Sequence, residues 1–317
     1  EPYGQAFAGR CGMSVLSVRS FGCLTVRNFR IFLRDRAGVF FSLLAPLIIL
    51  LLYFLFLGDV QADSAAAALG DVPYDEKVLE AFVNGWMISG VVSVSCITVS
   101  FSAQSVMIAD RERGMRDDVL VSPVTKPVLT AAYFASNCLI TMAIVGVVLA
   151  VCLVFLAITG WYLSAADVFA AIGMTVMSAL SAAMLSTLVC LPLRTSSVHS
   201  AVVGIMSAAI GFLMGAYMPV FVFPTAVRYI VLIVPGTYSA GVFRNIFCNG
   251  ALAELTDGFP ASAEQALRDG FTLDMDFFGA KIGTAWMTGI FAITIAVVAL
   301  IAALVILISR LRRLSRA

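Results

Sequence analysis

The chain has 317 residues, of which 61% are hydrophobic and 12% are charged, and its mean hydropathy is +1.00. Soluble domains average roughly 45–50% apolar and about 25% charged residues, so this composition excludes an ordinary soluble domain and predicts an integral membrane protein. The formal net charge of +1 excludes no class of partner, because the distribution of charges between loops, rather than their sum, orients a membrane protein.

Seven cysteines are present, but their positions do not indicate a disulfide framework. Six of them precede the first predicted span or lie within a span: Cys11, Cys23, Cys96, Cys138, Cys152 and Cys190. Only Cys248 is expected to face outward. The chain opens on Glu1 rather than Met, so we expect its natural start to lie upstream. The first span is too long and too late for a cleavable signal peptide.

Residues 1–36 are predicted to form a cytoplasmic arm that contains an amphipathic helix at 16–36. At 100° per residue, arginines gather on one narrow face and large apolar residues on the opposite face. The arginines are Arg19, Arg27, Arg30 and Arg34, and the apolar residues are Val18, Phe21, Phe29, Phe32 and Leu33. This pattern is typical of a helix that lies in the headgroup plane of a membrane. A cytosolic helix packed on its own protein is the alternative.

Six apolar segments follow, each of roughly twenty or more residues, which is enough to cross a bilayer core about 30 Å thick. They lie at 37–58, 86–108, 128–158, 168–191, 198–218 and 286–309, and none contains Asp, Glu, Lys or Arg. The predicted fold class is therefore an all-α membrane protein. Its six transmembrane helices occupy 37–309, and a basic cytoplasmic tail follows at 310–317.

Lysine and arginine are distributed unequally between the two sides of this bundle. The N-terminal arm, the loop at 109–127, the loop at Arg194 and the tail carry fifteen of them, whereas the other side carries five. Because positively charged loops stay in the cytoplasm, both termini and the loop at 109–127 are predicted to be cytoplasmic. The loops at 59–85 and 219–285 are then outer loops.

The outer loop at 59–85 is acidic and is predicted to be solvated, with one short helix. The loop at 219–285 begins with an apolar stretch that Pro219, Pro224, Pro235 and Gly236 interrupt. Because proline ends helices, the pieces are too short to span, and two short re-entrant helices are predicted. Residues 251–276 are polar and acidic and are predicted to form an external cap.

Small residues recur every four positions in two of the predicted spans. They are Ser178, Ala182 and Ser186 in the fourth span, and Ser207, Gly211 and Gly215 in the fifth. This spacing lets helices approach closely in lipid. Packing within the chain and an interface with a second subunit both fit the pattern, and the fifth span is the better candidate for the interface.

The sequence lacks the residues that two kinds of function usually need. The spans have no charged coupling group, unless His199 at the end of the fifth span serves as one, which disfavours a carrier driven by an ion gradient. A phosphate-binding loop needs Gly-Lys-[Ser/Thr], whereas Lys77, Lys126 and Lys281 follow Glu, Thr and Ala. No catalytic or metal-binding residues are therefore predicted, the chain is not expected to be an enzyme, and energy for any transport must come from another polypeptide.

The densest run of charge is the segment 110–124, DRERGMRDDVLVSPV. Glu112 and Arg113 are expected to pair across an interface with a soluble partner. Gly114 permits a tight turn or a close approach of another backbone, and Pro123 marks the exit towards the third span. The alternative is a solvated loop with local pairs such as Glu112–Arg116, each contributing only about 0.2–0.5 kcal/mol.

Six spans, cytoplasmic termini, no nucleotide motif and a charged loop after the second span resemble the permease subunits of type-two ABC exporters. One point of resemblance is the coupling segment with its Ser-Pro-Val ending: Asp110, Arg111, Glu112, Arg113, Gly114, Leu120, Ser122 and Pro123. Another is the stretch before the last span, where two prolines flank a short helix: Pro224, Arg228, Pro235, Tyr238 and Arg244. Met115, Arg116 and Asp117 depart from the family's frequent Thr-Leu-Glu.

The resemblance implies a separate ATP-binding subunit, in two copies, that binds ATP and Mg²⁺ and docks on the coupling segment. No cofactor is expected in this chain. A second permease copy, identical or homologous, would pair through the first and fifth spans, and the N-terminal helix would be a connecting helix beside the ATPase. Membrane lipid is the other implied partner, nucleic acid is not, and the implied location is the bacterial cytoplasmic membrane.

Aromatic residues in the spans favour a hydrophobic or amphipathic cargo, such as a drug, antibiotic, peptide or lipid. These residues are Phe40, Phe41, Tyr53, Phe54, Phe101, Phe212 and Tyr217. A polysaccharide or glycolipid exporter is an alternative, because aromatic faces also stack on sugars. A non-transporting membrane anchor or assembly factor for a cytosolic partner is another.

Overall fold

The computed structural model of the protein describes residues 3–70, 73–122, 124–216, 224–259, 261–277 and 280–314. Most of it is helical: α1 Tyr3–Arg34, α2 Arg36–Leu52, a π-helical turn Tyr53–Leu57, α3 Gly58–Leu69, α4 Glu76–Ala103, α5 Ser105–Glu112, α6 Met115–Val121, α7 Lys126–Thr159, α8 Ala165–Cys190, α9 Ser196–Leu213, α10 Thr225–Ile233, α11 Pro235–Leu255, α12 Ala261–Gly270 and α13 Thr284–Leu314. An antiparallel hairpin, β1 Met275–Phe277 and β2 Ala280–Ile282, precedes α13.

Five helical stretches of the described chain are long and apolar enough to cross a membrane. They are Arg36–Leu69, Glu76–Glu112, Lys126–Thr159, Ala165–Cys190 and Ser196–Leu213, and a shorter apolar stretch opens α13. The expectation of an all-α membrane protein is therefore confirmed. The count of six spans and the cytoplasmic position of both termini stay predictions.

The segment predicted as an outer loop, 59–85, is more helical than expected, since α3 and the start of α4 occupy most of it. α3 continues the first span beyond the π-helical turn, and its Ala65 and Leu69 are buried. α4 begins at Glu76, well before the predicted start at 86, and the Asp75 side chain accepts a hydrogen bond from Lys77 N at 2.9 Å to cap it. The one short helix predicted in this loop is present as α3, because the alanine-rich segment has high helix propensity, and its Asp59 and Asp63 are exposed.

α4 is the central helix of the bundle. It is buried on nearly every side, including Phe82, Trp86 and Phe101, because α2, α7, α8, α9 and α11 surround it. The contact with α11 is close: a Cβ on Gly85 would lie 2.7 Å from the Phe247 carbonyl oxygen. A larger residue at position 85 would therefore push α11 away from α4.

α11 differs from the short re-entrant helix that was predicted. It has 21 residues and is buried along most of its length, because it packs against α4, α8 and α13. α10 has nine residues. Cys248 was predicted to face outward, but it is wholly buried, with Sγ 3.7 Å from the Phe82 carbonyl oxygen. Its expected exposure was wrong because α11 packs against α4 at this position, and the side of the membrane on which it lies stays a prediction.

The segment predicted as an external cap, 251–276, contains the end of α11, all of α12 and the start of β1, and the hairpin continues beyond it to Ile282. We call the described residues of 256–282 the cap. Leu267 and Phe271 are buried, and Trp86 Nε1 donates to the Phe271 carbonyl oxygen at 2.8 Å. At the surface, Lys281 Nζ lies 2.6 Å from Asp269 Oδ2, and its hydrogen bond lowers the pKa of the Asp269 carboxyl. The cap is thus anchored to α4 by a buried indole.

Candidate functional site

The charged segment after α4 folds as two short helices joined by a tight turn. α5 ends at Glu112 and α6 begins at Met115. Between them Gly114 has φ +76°, in the left-handed region that favours glycine. No atom lies within 4 Å of the position that a Cβ would take there. Of the two predicted roles of Gly114, the structure therefore shows the tight turn.

Asp110 joins three elements at the base of this turn. Its carboxylate accepts two hydrogen bonds from the Arg27 guanidinium on α1, Nη1 to Oδ2 at 2.6 Å and Nη2 to Oδ1 at 3.0 Å. The Tyr133 hydroxyl on α7 donates to Oδ2 at 2.8 Å. The Asp110 side chain is 11% exposed, and its hydrogen bond raises the pKa of Arg27. This two-point, largely desolvated ion pair is stronger than an ordinary surface pair.

The next two residues bind the connection between α8 and α9. Arg111 Nη1 donates to the Leu191 carbonyl oxygen at 2.7 Å and also to that of Leu193. Glu112 accepts from the Ser196 backbone N–H at 3.1 Å and from its hydroxyl. Ser196 begins α9, so the carboxylate lies where the helix dipole favours negative charge. Three consecutive residues thus fix α5 to α1, α7 and the start of α9.

α1 packs along α7, and its packed side carries Thr25, Asn28 and Phe32. Arg27 also points towards the protein, so its predicted place on an exposed arginine face was wrong. The cause is the Asp110 carboxylate, a partner that no helical pattern reveals. Phe21 and Phe29 are half-buried, and Val18, Arg19, Arg30, Leu33 and Arg34 are exposed. The position of α1 in a headgroup plane stays a prediction.

One side of the two short helices faces away from the bundle, and we call it the α5–α6 surface. Its exposed residues are Arg113, Met115, Asp117, Asp118 and Val121. Leu120 is half-buried against the core. Ser122 Oγ donates to the Val119 carbonyl oxygen at 2.5 Å where α6 ends, and Pro123 lies outside the described residues. The surface is charged, with an apolar edge.

The other end of α9 closes in a glycine turn. Ala216 N donates to the Gly211 carbonyl oxygen at 2.8 Å and Gly215 N to that of Phe212 at 3.0 Å, with Gly215 at φ +64°, which is a Schellman motif. Gly211 and Gly215 are both buried within the chain. Their prediction as a face for a second copy was wrong, because Gly215 ends the helix. Ser207 is half-buried.

Carbonyl groups in this turn accept hydrogen bonds from other elements. Arg244 on α11 donates to the Met214 oxygen at 3.5 Å and to the Gly215 oxygen. The Tyr53 hydroxyl, in the π-helical turn, donates to the Ala216 oxygen. The last carbonyls of a helix have no partner within it, and hydrocarbon supplies none. Arg244 and Tyr53 therefore supply the hydrogen-bond donors that water would supply to these carbonyl groups in a soluble protein.

Arg244 extends this cluster to the cap. Its Nη1 donates to the Thr272 carbonyl oxygen at 3.3 Å, and its guanidinium lies 5.5 Å from the centroid of the Trp86 ring. The side chain is wholly buried, and its Nε has no hydrogen-bond partner in the described part of the chain. Carbonyl dipoles and an aromatic face hold the charge. Arg244 thereby links α4, α11, the end of α9 and the cap.

The other residues predicted for the re-entrant segment, Pro224, Arg228, Pro235 and Tyr238, lie in or next to α10 and the start of α11. Pro224 precedes α10, and Pro235 begins α11. The Tyr238 hydroxyl donates to the Leu232 carbonyl oxygen at 2.8 Å, which ties α11 to α10. Arg228 borders a cavity of about 170 Å³ between α10 and the cap.

The small residues of the fourth span face the interior of the chain. Ser178 and Ala182 are buried. Ser186 Oγ lies 2.8 Å from Ser100 Oγ on α4 and accepts from Asn137 Nδ2 on α7 at 2.9 Å. Packing within the chain is therefore the role observed for this span.

Sequence reasoning missed Tyr133, Ser196 and Trp86, which contact predicted residues from distant parts of the chain. Tyr133 carried one usable signal: it is a polar aromatic residue near the start of an apolar span that follows a charged loop. Ser196 and Trp86 carried none, because neither breaks the local pattern around it.

A comparison with protein families gives one match: residues 19–248 match the family described as ABC-2 type transporter. The matched range contains α5, α6 and their partners on α1, α7 and α9, and it reaches Arg244 on α11. No individual curated protein matches the chain. Permease domains of this family generally work with a separate ATP-binding subunit and often dimerise. The chain belongs to the ABC-2 type transporter family and is a multi-pass permease subunit of an ABC transporter.

Proposed function

We propose that this permease subunit exports a hydrophobic or amphipathic cargo across the bacterial cytoplasmic membrane. A separate ATP-binding subunit, which binds ATP and Mg²⁺, would dock on the α5–α6 surface and drive it. One observation supports this most. The Asp110 side chain binds α1 and α7, that of Arg111 binds the connection between α8 and α9, and that of Glu112 binds the start of α9. A force on the α5–α6 surface would therefore reach the ends of other helices instead of bending a loop.

The residues of the segment divide into anchors and contacts. Glu112 anchors α9, although the sequence suggested it for the partner interface. Arg113 is exposed, and its side chain makes no hydrogen bond or ion pair within the described part of the chain, so its guanidinium is placed to meet an acidic group of the partner. Met115 and Val121 supply the apolar area that the centre of an interface needs.

The second permease copy, identical or homologous, would pair through α2 and α9. These spans bury 19% and 17% of their most apolar residues within the chain, against 39–89% for the other three candidate spans. Their exposed large residues are Phe40, Phe41, Leu47, Ile48, Leu51 and Leu52 on α2, and Val198, Ile205 and Phe212 on α9. This outward apolar side can be covered by lipid or by a partner helix, and pairing would bring two copies of it together.

The cargo assignment rests on those aromatic residues of the spans that the structure shows to be exposed. Tyr53 and Phe101 are buried in the core, and Tyr217 and the Phe54 side chain lie outside the described residues. Phe40, Phe41 and Phe212 are exposed on α2 and α9. Three exposed rings on an apolar side favour a drug, antibiotic, peptide or lipid over a polysaccharide or glycolipid, which needs more hydrogen-bonding groups.

Affinity purification of the tagged permease from its native membrane tests this proposal. We expect an ATP-binding protein to co-purify, and its ATP turnover to rise with amphipathic cargo. Stimulation by sugar polymers alone would favour the polysaccharide exporter. Recovery of a cytosolic partner without a nucleotide-binding motif would favour the membrane anchor.

A further inference from the structure

A cavity of about 410 Å³ opens between the start of α2, the end of α4, α5 and the first half of α9. We call it the α2–α9 cavity. It lies on the outward sides of α2 and α9, at the end of the bundle that carries α5. No lysine or arginine is among the described residues that line it, although Arg34 and Arg36 adjoin Asp35 in sequence. Its one carboxylate belongs to Asp35.

Of the six hydroxyl side chains that line this cavity, those of Ser42, Thr98 and Ser102 donate their protons to backbone carbonyl oxygens. Ser42 Oγ donates to the Val39 carbonyl oxygen at 2.8 Å, and Ser102 Oγ donates to that of Thr98 at 3.0 Å. Each oxygen keeps its lone pairs as acceptors. Hydroxyls held in this way present acceptors, rather than donors, to a molecule in the cavity.

His199 adds a further acceptor. Its Nε2 lies 3.0 Å from the Phe101 carbonyl oxygen, and because a carbonyl only accepts, Nε2 must carry the proton. In the neutral ring Nδ1 is then an acceptor. The lining therefore places four acceptors, those of Ser42, Thr98, Ser102 and His199, in the same cavity as the Asp35 carboxylate.

Asp35 is held in place but keeps one oxygen available. Its Oδ1 accepts from Gly38 N at 3.0 Å as the cap of α2. Oδ2 lies over Gly38, where a Cβ would come within 2.6 Å of it. No described lysine or arginine forms a salt bridge with Asp35. The exposed ring of Phe41 lines the same cavity and offers a face that attracts cations.

We propose that the α2–α9 cavity binds an organic cation, an ammonium group on an apolar body, as the transported cargo or a close mimic of it. The ammonium lies on Asp35 and the acceptor hydroxyls, and the apolar body lies against Phe41. This proposal rests on the proposed export function only where it identifies the bound molecule as cargo. Binding to the cavity itself needs no ATPase.

The test uses two fluorescent probes with the same dansyl body: dansylcadaverine, a primary amine, and its N-acetyl derivative, in which a small neutral amide replaces the ammonium group. Equilibrium binding is measured on the purified full-length permease in lipid nanodiscs. The variant is Asp35→Asn, which keeps a good helix cap. Asp63→Asn, an exposed acid on α3 outside the cavity, is the matched control.

We expect the wild-type protein to bind the amine about three- to fivefold more tightly than the acetylated probe, the upper end of the range for one exposed ion pair. Asp35→Asn should reduce this preference to less than about twofold and leave the acetylated probe's affinity unchanged, while Asp63→Asn should retain it. Equal wild-type affinities, or a preference that survives in Asp35→Asn, would overturn the proposal. The wild-type comparison decides even if the variant does not fold. Failure of the export function would show separately, as no co-purifying ATPase.

Discussion

Arg27 and Asp110 lie 83 positions apart in the sequence and meet in a two-point ion pair, with Nη1 of Arg27 2.6 Å from Oδ2 of Asp110. The pair joins α1 to α5. Since Tyr133 donates to the same carboxylate, α7 belongs to the same unit. Any displacement of the α5–α6 surface must therefore either move α1 with it or break this pair.

Substituting Asp110→Asn should destabilise the folded permease by roughly 2 kcal/mol, because it leaves the Arg27 guanidinium half-buried without its counter-charge. Thermal unfolding in nanodiscs measures the effect, and Arg30→Gln, an exposed arginine on the same helix, is the control. In a double-mutant cycle with Arg27→Gln the two losses should be less than additive. Strict additivity would mean that the pair does not hold α1.

Gly114→Ala should cost about 1 kcal/mol, because alanine is strained at positive φ. The site has open space around it, so crowding contributes nothing. Gly146→Ala is a matched control: Gly146 lies within α7, and no atom lies within 4 Å of its Cβ position either. This control should be neutral or stabilising. Equal melting temperatures for the two variants would contradict the left-handed turn.

Arg244→Met should destabilise the protein on the order of 3 kcal/mol, because several buried carbonyl groups lose their donor at once. Arg268→Met, which removes a surface pair with Glu264, should change stability by less than about 1 kcal/mol. Limited proteolysis of the cap gives an independent measurement. If the cap resisted cleavage equally in both variants, Arg244 would not hold the turn of α9 to the cap.

An impermeant maleimide applied to whole cells should leave Cys248 unmodified, because the thiol is buried in α11. Cys23 is exposed and should react only after permeabilisation, as its predicted cytoplasmic position requires. Denaturation in detergent should make Cys248 reactive, which controls for the reagent. Labelling of Cys23 in intact cells would reverse the predicted topology.

The membrane class and the presence of several long apolar helices were predictable, because length and hydropathy are properties of continuous segments. Gly114 was predictable as a turn residue from its place between two charged stretches. The buried course of α11 was not, since Pro235 reads as a break although it only begins the helix. Gly215 looked like half of a packing motif, and only the backbone dihedral reveals it as a helix end.

The partners of the coupling segment could not be predicted from local pattern. Arg27 follows the helical period of the other arginines, and its inward direction depends on a carboxylate 83 positions away. The partner of Glu112 could not be predicted from its local sequence either. Its charge suggested contact with another protein, but the unsatisfied N–H groups at the start of α9 take it within the chain.

ATP-dependent uptake by inside-out vesicles that contain the permease with its ATPase tests the central claim most directly. The variant is Glu112→Ala with Arg113→Ala, and Asp63→Asn serves as the control. We predict that the double variant keeps its fold but loses most ATP-dependent uptake or no longer retains the ATPase, because the anchor to α9 and the exposed contact are removed together. Uptake at the wild-type rate with the ATPase fully retained would contradict the account.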